Sequence, residues 1–182
     1  MKNKPFETLL TLTLEHGVYK ADIINAKEIS LDKSFREMCT SNACGMYGKC
    51  WTCPPDCGEV DQLIMSLGKY SKVLVFQTVG ELEDSYDFES MAEHKKQFSK
   101  LVLKVKKMLS SNNIESLTLG AGGCGICDRC SKQDGERCKF PELAISSLEA
   151  YGIDVYALSK SADMKYINGQ NTVTYFSAVF FN

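Results

Sequence analysis

Cysteine placement constrains this chain more than any other feature. All nine cysteines fall in two clumps: Cys39, Cys44, Cys50, Cys53 and Cys57, then Cys124, Cys127, Cys130 and Cys138. Thiols used for core packing would be scattered along the apolar, periodic segments. Thiols gathered this tightly imply loops that wrap around something, and a fold whose remaining elements hold those loops in place.

The redox compartment decides what gathered thiols do. A chain of 182 residues buries roughly 70% of its unfolded surface and needs no cross-links for stability. Met1 to Glu7 lacks the basic, then apolar, pattern of a secretory leader. No apolar run approaches the ~20 residues of a membrane span. A cytoplasmic, reducing location is therefore expected, where clustered cysteines indicate metal or redox chemistry more than disulfides.

The second clump reads Cys124-x2-Cys127-x2-Cys130-x7-Cys138. Bacterial ferredoxins hold a 4Fe-4S cluster with C-x2-C-x2-C-x3-C-P. The first two spacings are kept here. The third is longer, and the proline stands at Pro141. Gly122, Gly123 and Gly125 let backbone N–H groups approach the cofactor sulfurs. Arg129, Lys132, Arg137 and Lys139 place positive charge beside the thiolates. Structural zinc is the alternative, although four-cysteine zinc sites usually use two separated C-x2-C knuckles. Redox-active thiols without metal are a third reading.

The first clump, Cys39-x4-Cys44-x5-Cys50-x2-Cys53-Pro54-Pro55-x-Cys57, offers five thiols for four positions. By spacing, Cys50 and Cys53 form the best local pair, flanked by Cys44 and Cys57. Tyr47 and Trp51 are interleaved and would shield a cofactor from water, or serve as ordinary core aromatics. Eight ligands would hold two clusters, leaving one cysteine spare.

The intervening sequence alternates. Helices are expected over 5–16, around Val60–Leu67 and along Phe98–Leu109, with a further helix opened by Pro141. Strands are expected at Val18–Ile24, Val73–Val79, Ile114–Leu119, Ile153–Leu158 and Thr172–Phe181. Asn168-Gly169 suits a tight hairpin turn before the last strand. These segments predict one α/β domain over residues 1–182. Its sheet would be mostly parallel or mixed and flanked by helices, with an antiparallel C-terminal hairpin and two cysteine-rich loops.

Residues Cys44-Gly-Met-Tyr47-Gly48-Lys49-Cys-Trp51-Thr-Cys53-Pro54-Pro55 resemble the C-x-x-Y-G-K-x-W-x-C-P-P signature of a prokaryotic family of cysteine-rich, predicted metal-binding proteins. A second stretch of the family resembles Gly122-Gly123-Cys124 through Cys138-x-x-Pro141-Glu142, and then Ser147 to Val155. The resemblance implies metal binding and no particular reaction. It implies Cys39, Cys44 and Cys53 as ligands, with Cys57 as the fourth and Cys50 as the spare. The spacing argument keeps Cys50 as the alternate ligand.

Other classes are poorly supported. A net charge of −2 argues against a broad grip on nucleic acid. The basic run Lys95, Lys96, Lys100, Lys104, Lys106 and Lys107 reads as a solvated helix face, or as a docking face for an acidic redox partner. His16 reads as a helix-terminal residue and His94 as solvated. No nucleophile–base constellation appears. The expectation is an iron–sulfur protein with one or two 4Fe-4S clusters, the first of them at the second clump and any second one at the first clump. It would carry electrons to or from a partner protein more than act as a stand-alone enzyme. The rivals are a structural zinc interaction module and a small reductase or activase with an open-site cluster.

Overall fold

The computed structural model describes residues 4–182, with side chains from residue 7 onward. The opening residues of the Met1–Glu7 stretch lie outside the described residues. Helix α1 covers Lys4–Glu15 and is followed by β1, Lys20–Asn25. After the short α2, Lys33–Glu37, comes the first cysteine loop, and then α3, Val60–Leu67. Next are β2, Lys72–Glu81, α4, Phe88–Ser111, and β3, Ser116–Gly120. The second cysteine loop leads to β4, Ser146–Ser147, α5, Val155–Ser161, and β5, Thr172–Phe181.

The strands form one mixed sheet in the order β1-β2-β5-β3-β4, an α/β arrangement as the alternating pattern predicts. Strand β5 occupies the centre, antiparallel to β2 from Lys72↔Phe181 to Glu81↔Thr172. Both faces of β2 and β5 are buried, which is why their sequences are apolar without polar alternation. On one face, Val73, Val75, Phe176, Ala178 and Phe180 pack with Leu67 of α3 and Leu158 of α5. On the other, Leu74, Phe76, Val179 and Phe181 meet Phe98, Leu101, Val102, Val105 and Leu109 of α4. Those five recur at helical spacing and bury one stripe of α4. Asp87 caps this helix by accepting from the Ser90 N–H.

The structure corrects four local expectations. The apolar run Ile153–Leu158 is not a strand. Asp154 accepts from the Ala157 N–H at 2.9 Å and caps α5, whose Leu158 is buried beneath the sheet. The segment after Pro141 forms turns instead of a helix, because Leu148 N–H donates to the Gly120 carbonyl and draws the chain alongside β3. Among the described residues only β3–β4 is parallel: β5 inserts between β2 and β3 and runs antiparallel to both, and β1 runs antiparallel to β2. For the same reason there is no C-terminal hairpin: Asn168-Gly169 turns the chain, but β5 pairs with distant strands and not with the residues before it. Among the described residues no helix is long and apolar enough to cross a membrane.

The α5 assignment is directly testable. Asp154→Ala removes the cap and should cost about 1 kcal/mol in equilibrium urea unfolding. A loss below about 0.3 kcal/mol would mean that the carboxylate does not cap a helix there.

Candidate metal centre

The two cysteine loops leave different parts of the fold and meet. The first runs from α2 to α3. Arg36 anchors it at both ends of its reach, donating from one guanidinium nitrogen to the Ala150 carbonyl and from the other to the Gly58 carbonyl. Within the loop, Asn42 accepts from the Tyr47 N–H, and Gly48 N–H donates to the Pro54 carbonyl at 2.8 Å. The Cys53 N–H bonds back to the Cys50 carbonyl, and the Cys57 N–H to the Cys53 carbonyl. These turns enclose Cys50 and Cys53, leave Cys39 and Cys57 half-buried, and leave Cys44 exposed.

The second loop begins where β3 ends. Gly122 and Gly125 have φ of 59° and 70°, the left-handed region that favours glycine. The Ile145 N–H lies 3.4 Å from Cys124 Sγ, an amide aimed at a sulfur. Further on, Ser131 Oγ donates to the Arg137 carbonyl and closes a compact turn. Cys124, Cys127, Cys130 and Cys138 are all half-buried along this loop.

Several contacts join the loops. Trp51 Nε1 donates to the Glu136 carbonyl at 2.9 Å. Lys132 Nζ pairs with Asp56 at 2.5 Å and sits 4.5 Å from the Trp51 ring centroid. The Met46 side chain packs on Gly123, where a Cβ would lie 2.9 Å from it. The Cys124 backbone N–H acts on the Cys50 sulfur in the direction that favours its thiolate. Trp51 is therefore a loop-to-loop tie as well as a shield. Tyr47 is half-buried in the first loop, bound through its amide.

Electrostatics at this junction are uneven. The Cys53 thiol donates to the Cys50 sulfur and holds the Cys50 thiol well below the ordinary cysteine range against the cost of burial. Cys53 is correspondingly pushed up, because its own proton is held in the bond to Cys50 and because it is buried. Burial also raises Cys39, Cys57 and Cys124, and at Cys124 the Ile145 and Ile126 N–H groups oppose the rise. Several basic residues credited with offsetting thiolate charge are paired with carboxylates instead: Arg129 with Asp134, Lys132 with Asp56 and Lys139 with Glu136.

Sequence reasoning missed the positive group that does face the sulfurs. Lys95 is not on a solvated face; its Nζ donates to Ser99 Oγ at 2.7 Å, and its Cε lies against Gly122. Burial pulls its ammonium below the ordinary lysine range, while the charges of Cys124, Cys53 and Cys44 act to hold the proton. Glu149 is also drawn into this region, its carboxyl raised by burial with Lys95 opposing. The signal available in the sequence was Ser99, a small polar residue one turn after Lys95. Lys106 is likewise drawn in, donating to the Ala144 carbonyl.

Residues 22–181 match the sequence profile of a family described as predicted metal-binding protein, DUF2284. The chain belongs to the DUF2284 family. No curated protein and no solved structure matches it. In this DUF2284 protein the donor chemistry fits a metal. Nine sulfur donors line two touching loops, and neither histidine is near them in sequence. Soft thiolates favour zinc or iron–sulfur centres over hard cations. Among the described residues no three of the His, Cys, Asp and Glu side chains are already gathered around a single ion position.

Two substitutions probe the site. Gly125→Ala places a Cβ 2.8 Å from Ser99 Oγ at a φ of 70°. It should cost about 1–2 kcal/mol in urea unfolding and lower the metal content of the purified protein. Gly123→Ala meets only the flexible Met46 side chain and should cost less; the reverse order would contradict this geometry. Lys95→Met removes the buried cation and should weaken metal binding about 10–100-fold in chelator competition. The metal-free variant should unfold no earlier than the parent, since a desolvated ammonium is lost.

Proposed function

We propose that this protein is an iron–sulfur electron carrier of the cytoplasm. The second loop holds one 4Fe-4S cluster through Cys124, Cys127, Cys130 and Cys138. The first holds another through Cys39, Cys44, Cys53 and Cys57, with Cys50 as the alternate ligand. The observation that carries this reading is the Cys124-x2-Cys127-x2-Cys130 run leaving the end of β3, placed directly against the first loop by the Trp51, Lys132 and Met46 contacts.

A bound cluster supplies reversible one-electron storage. The chain's own residues do the rest. The Ile145 amide aimed at Cys124 is the type of N–H···S contact that tunes a cluster's potential. Lys95 adds a buried positive charge beside both loops. Trp51 and the enclosed Cys50–Cys53 segment restrict water at the junction. Touching loops bring two centres close enough for an electron to pass between them, and the half-buried second loop leaves a route to a soluble redox partner.

The position of Cys50 bears on the choice of first-loop ligands. Cys50 is 2% exposed, and its sulfur is hydrogen-bonded to Thr52 Oγ1, with the Cys124 amide favouring its thiolate. A spare thiol there would be a structural tie between the loops.

Anaerobic purification tests the proposal. The expected product is brown, with about eight irons and as many acid-labile sulfides per chain, and Cys124→Ser should remove about four of each. Cys50→Ser should leave the iron count unchanged if Cys57 is the fourth ligand of the first loop. A colourless protein containing zinc and no iron would overturn the reading in favour of a structural module, which loses its fold on chelation.

A further inference from the structure

The opposite flank of α4 carries a second concave site that contains no cysteine. Lys95, Ser99 and Val102 face the second cysteine loop. Gln97, Lys100, Leu101 and Lys104 face the other way, toward the end of α1 and the final residues of β2. Between them lies a cleft of about 350 Å³, within the size range of small-molecule sites.

Its lining is unusual for this chain. The protein has two histidines, and both are there. Each ring is anchored by a backbone carbonyl: His16 Nδ1–H donates to Leu12 at 2.9 Å, and His94 Nε2–H donates to Glu81 at 3.0 Å. His94 is thus half-buried, not solvated as its place on α4 suggests. Its ring lies on Gly80, and a Cβ at that position would run into it. A glycine inside a long strand weakens the strand and marks a close approach. Here Gly80 makes room for the imidazole.

Charge and polarity define the ligand. Lys100 and Lys104 stand on successive turns of α4, and among the described residues neither has an ion-pair partner. Among the described residues no acidic side chain lines the cleft, while Val79, Phe98 and Leu101 give it an apolar floor. We infer that this cleft binds a small organic anion, a carboxylate or phosphate monoester on an apolar body, with Lys100 and Lys104 taking the charge and the Phe98–Leu101 floor taking the body. The two lysines then have a function that a solvated helix face would not supply. The site is independent of the metal reading, because it shares only Phe98 with the cysteine side of α4.

Calorimetric titration of the protein as purified, its metal content measured on the same sample, tests this. Phenyl phosphate and benzoate should bind, inorganic phosphate should bind more weakly, and benzylamine should not bind. Lys100→Met combined with Lys104→Met should weaken phenyl phosphate about tenfold or more, the loss expected when charge-assisted hydrogen bonds are removed. Gly80→Ala, which displaces His94, should also weaken it while the metal content stays at the parent level. The inference is overturned if neither organic anion binds at millimolar concentration, if benzylamine binds as well, if inorganic phosphate binds equally, or if the double lysine variant keeps the parent affinity.

Discussion

The ten-residue antiparallel ladder between β2 and β5 holds both halves of the molecule in relation to each other. Each strand contributes alternate residues to two cores, so the same ladder fixes α4 on one face and α3 with α5 on the other. Strand β3 then pairs with the free side of β5, which sets the point where the second cysteine loop leaves the sheet. The first loop is positioned from the opposite face, through α2, α3 and the Arg36 bonds. The loops can meet only because both are referred to one central strand.

Where they meet, the fold spends polar contacts on holding loops instead of core. Trp51 and Lys132 each reach across to the other loop, and both sit among thiols whose burial disfavours the charged form. Enclosing this many thiols without a cofactor is costly for any that must ionise. Metal ligation resolves that conflict, because it stabilises thiolates in a place where solvent does not. Lys95 contributes in the same direction from α4, while the histidine-lined cleft occupies the other flank of that helix.

Elements with a strong period or clear stops were legible in the sequence. Helix α4 followed from Phe98, Leu101, Val102, Val105 and Leu109, and α3 from Val60, Leu63, Ile64 and Leu67 before Gly68. The strands β2 and β5 followed from unbroken apolar runs. The run 153–158 did not, because a short apolar stretch suits either state and only Asp154 signalled a capped helix. Strand order was also hidden: the pairing of β5 with β2 joins residues about a hundred positions apart, and local pattern carries no record of such a choice. At the site, the cysteines announced themselves, but their ties did not. Lys132 read as a free cation and proved to be paired with Asp56. Lys95 was masked by the exposed lysines around it.

The central claim is that the two loops together form an iron–sulfur site. Anomalous-difference maps from anaerobically grown crystals, collected at the iron and zinc edges, address it most directly. The account predicts strong iron density within bonding distance of the sulfurs of Cys124, Cys127, Cys130 and Cys138, with a second iron site enclosed by the first loop. Zinc density at either loop with no iron in the crystal, or iron bound away from both loops, would contradict it.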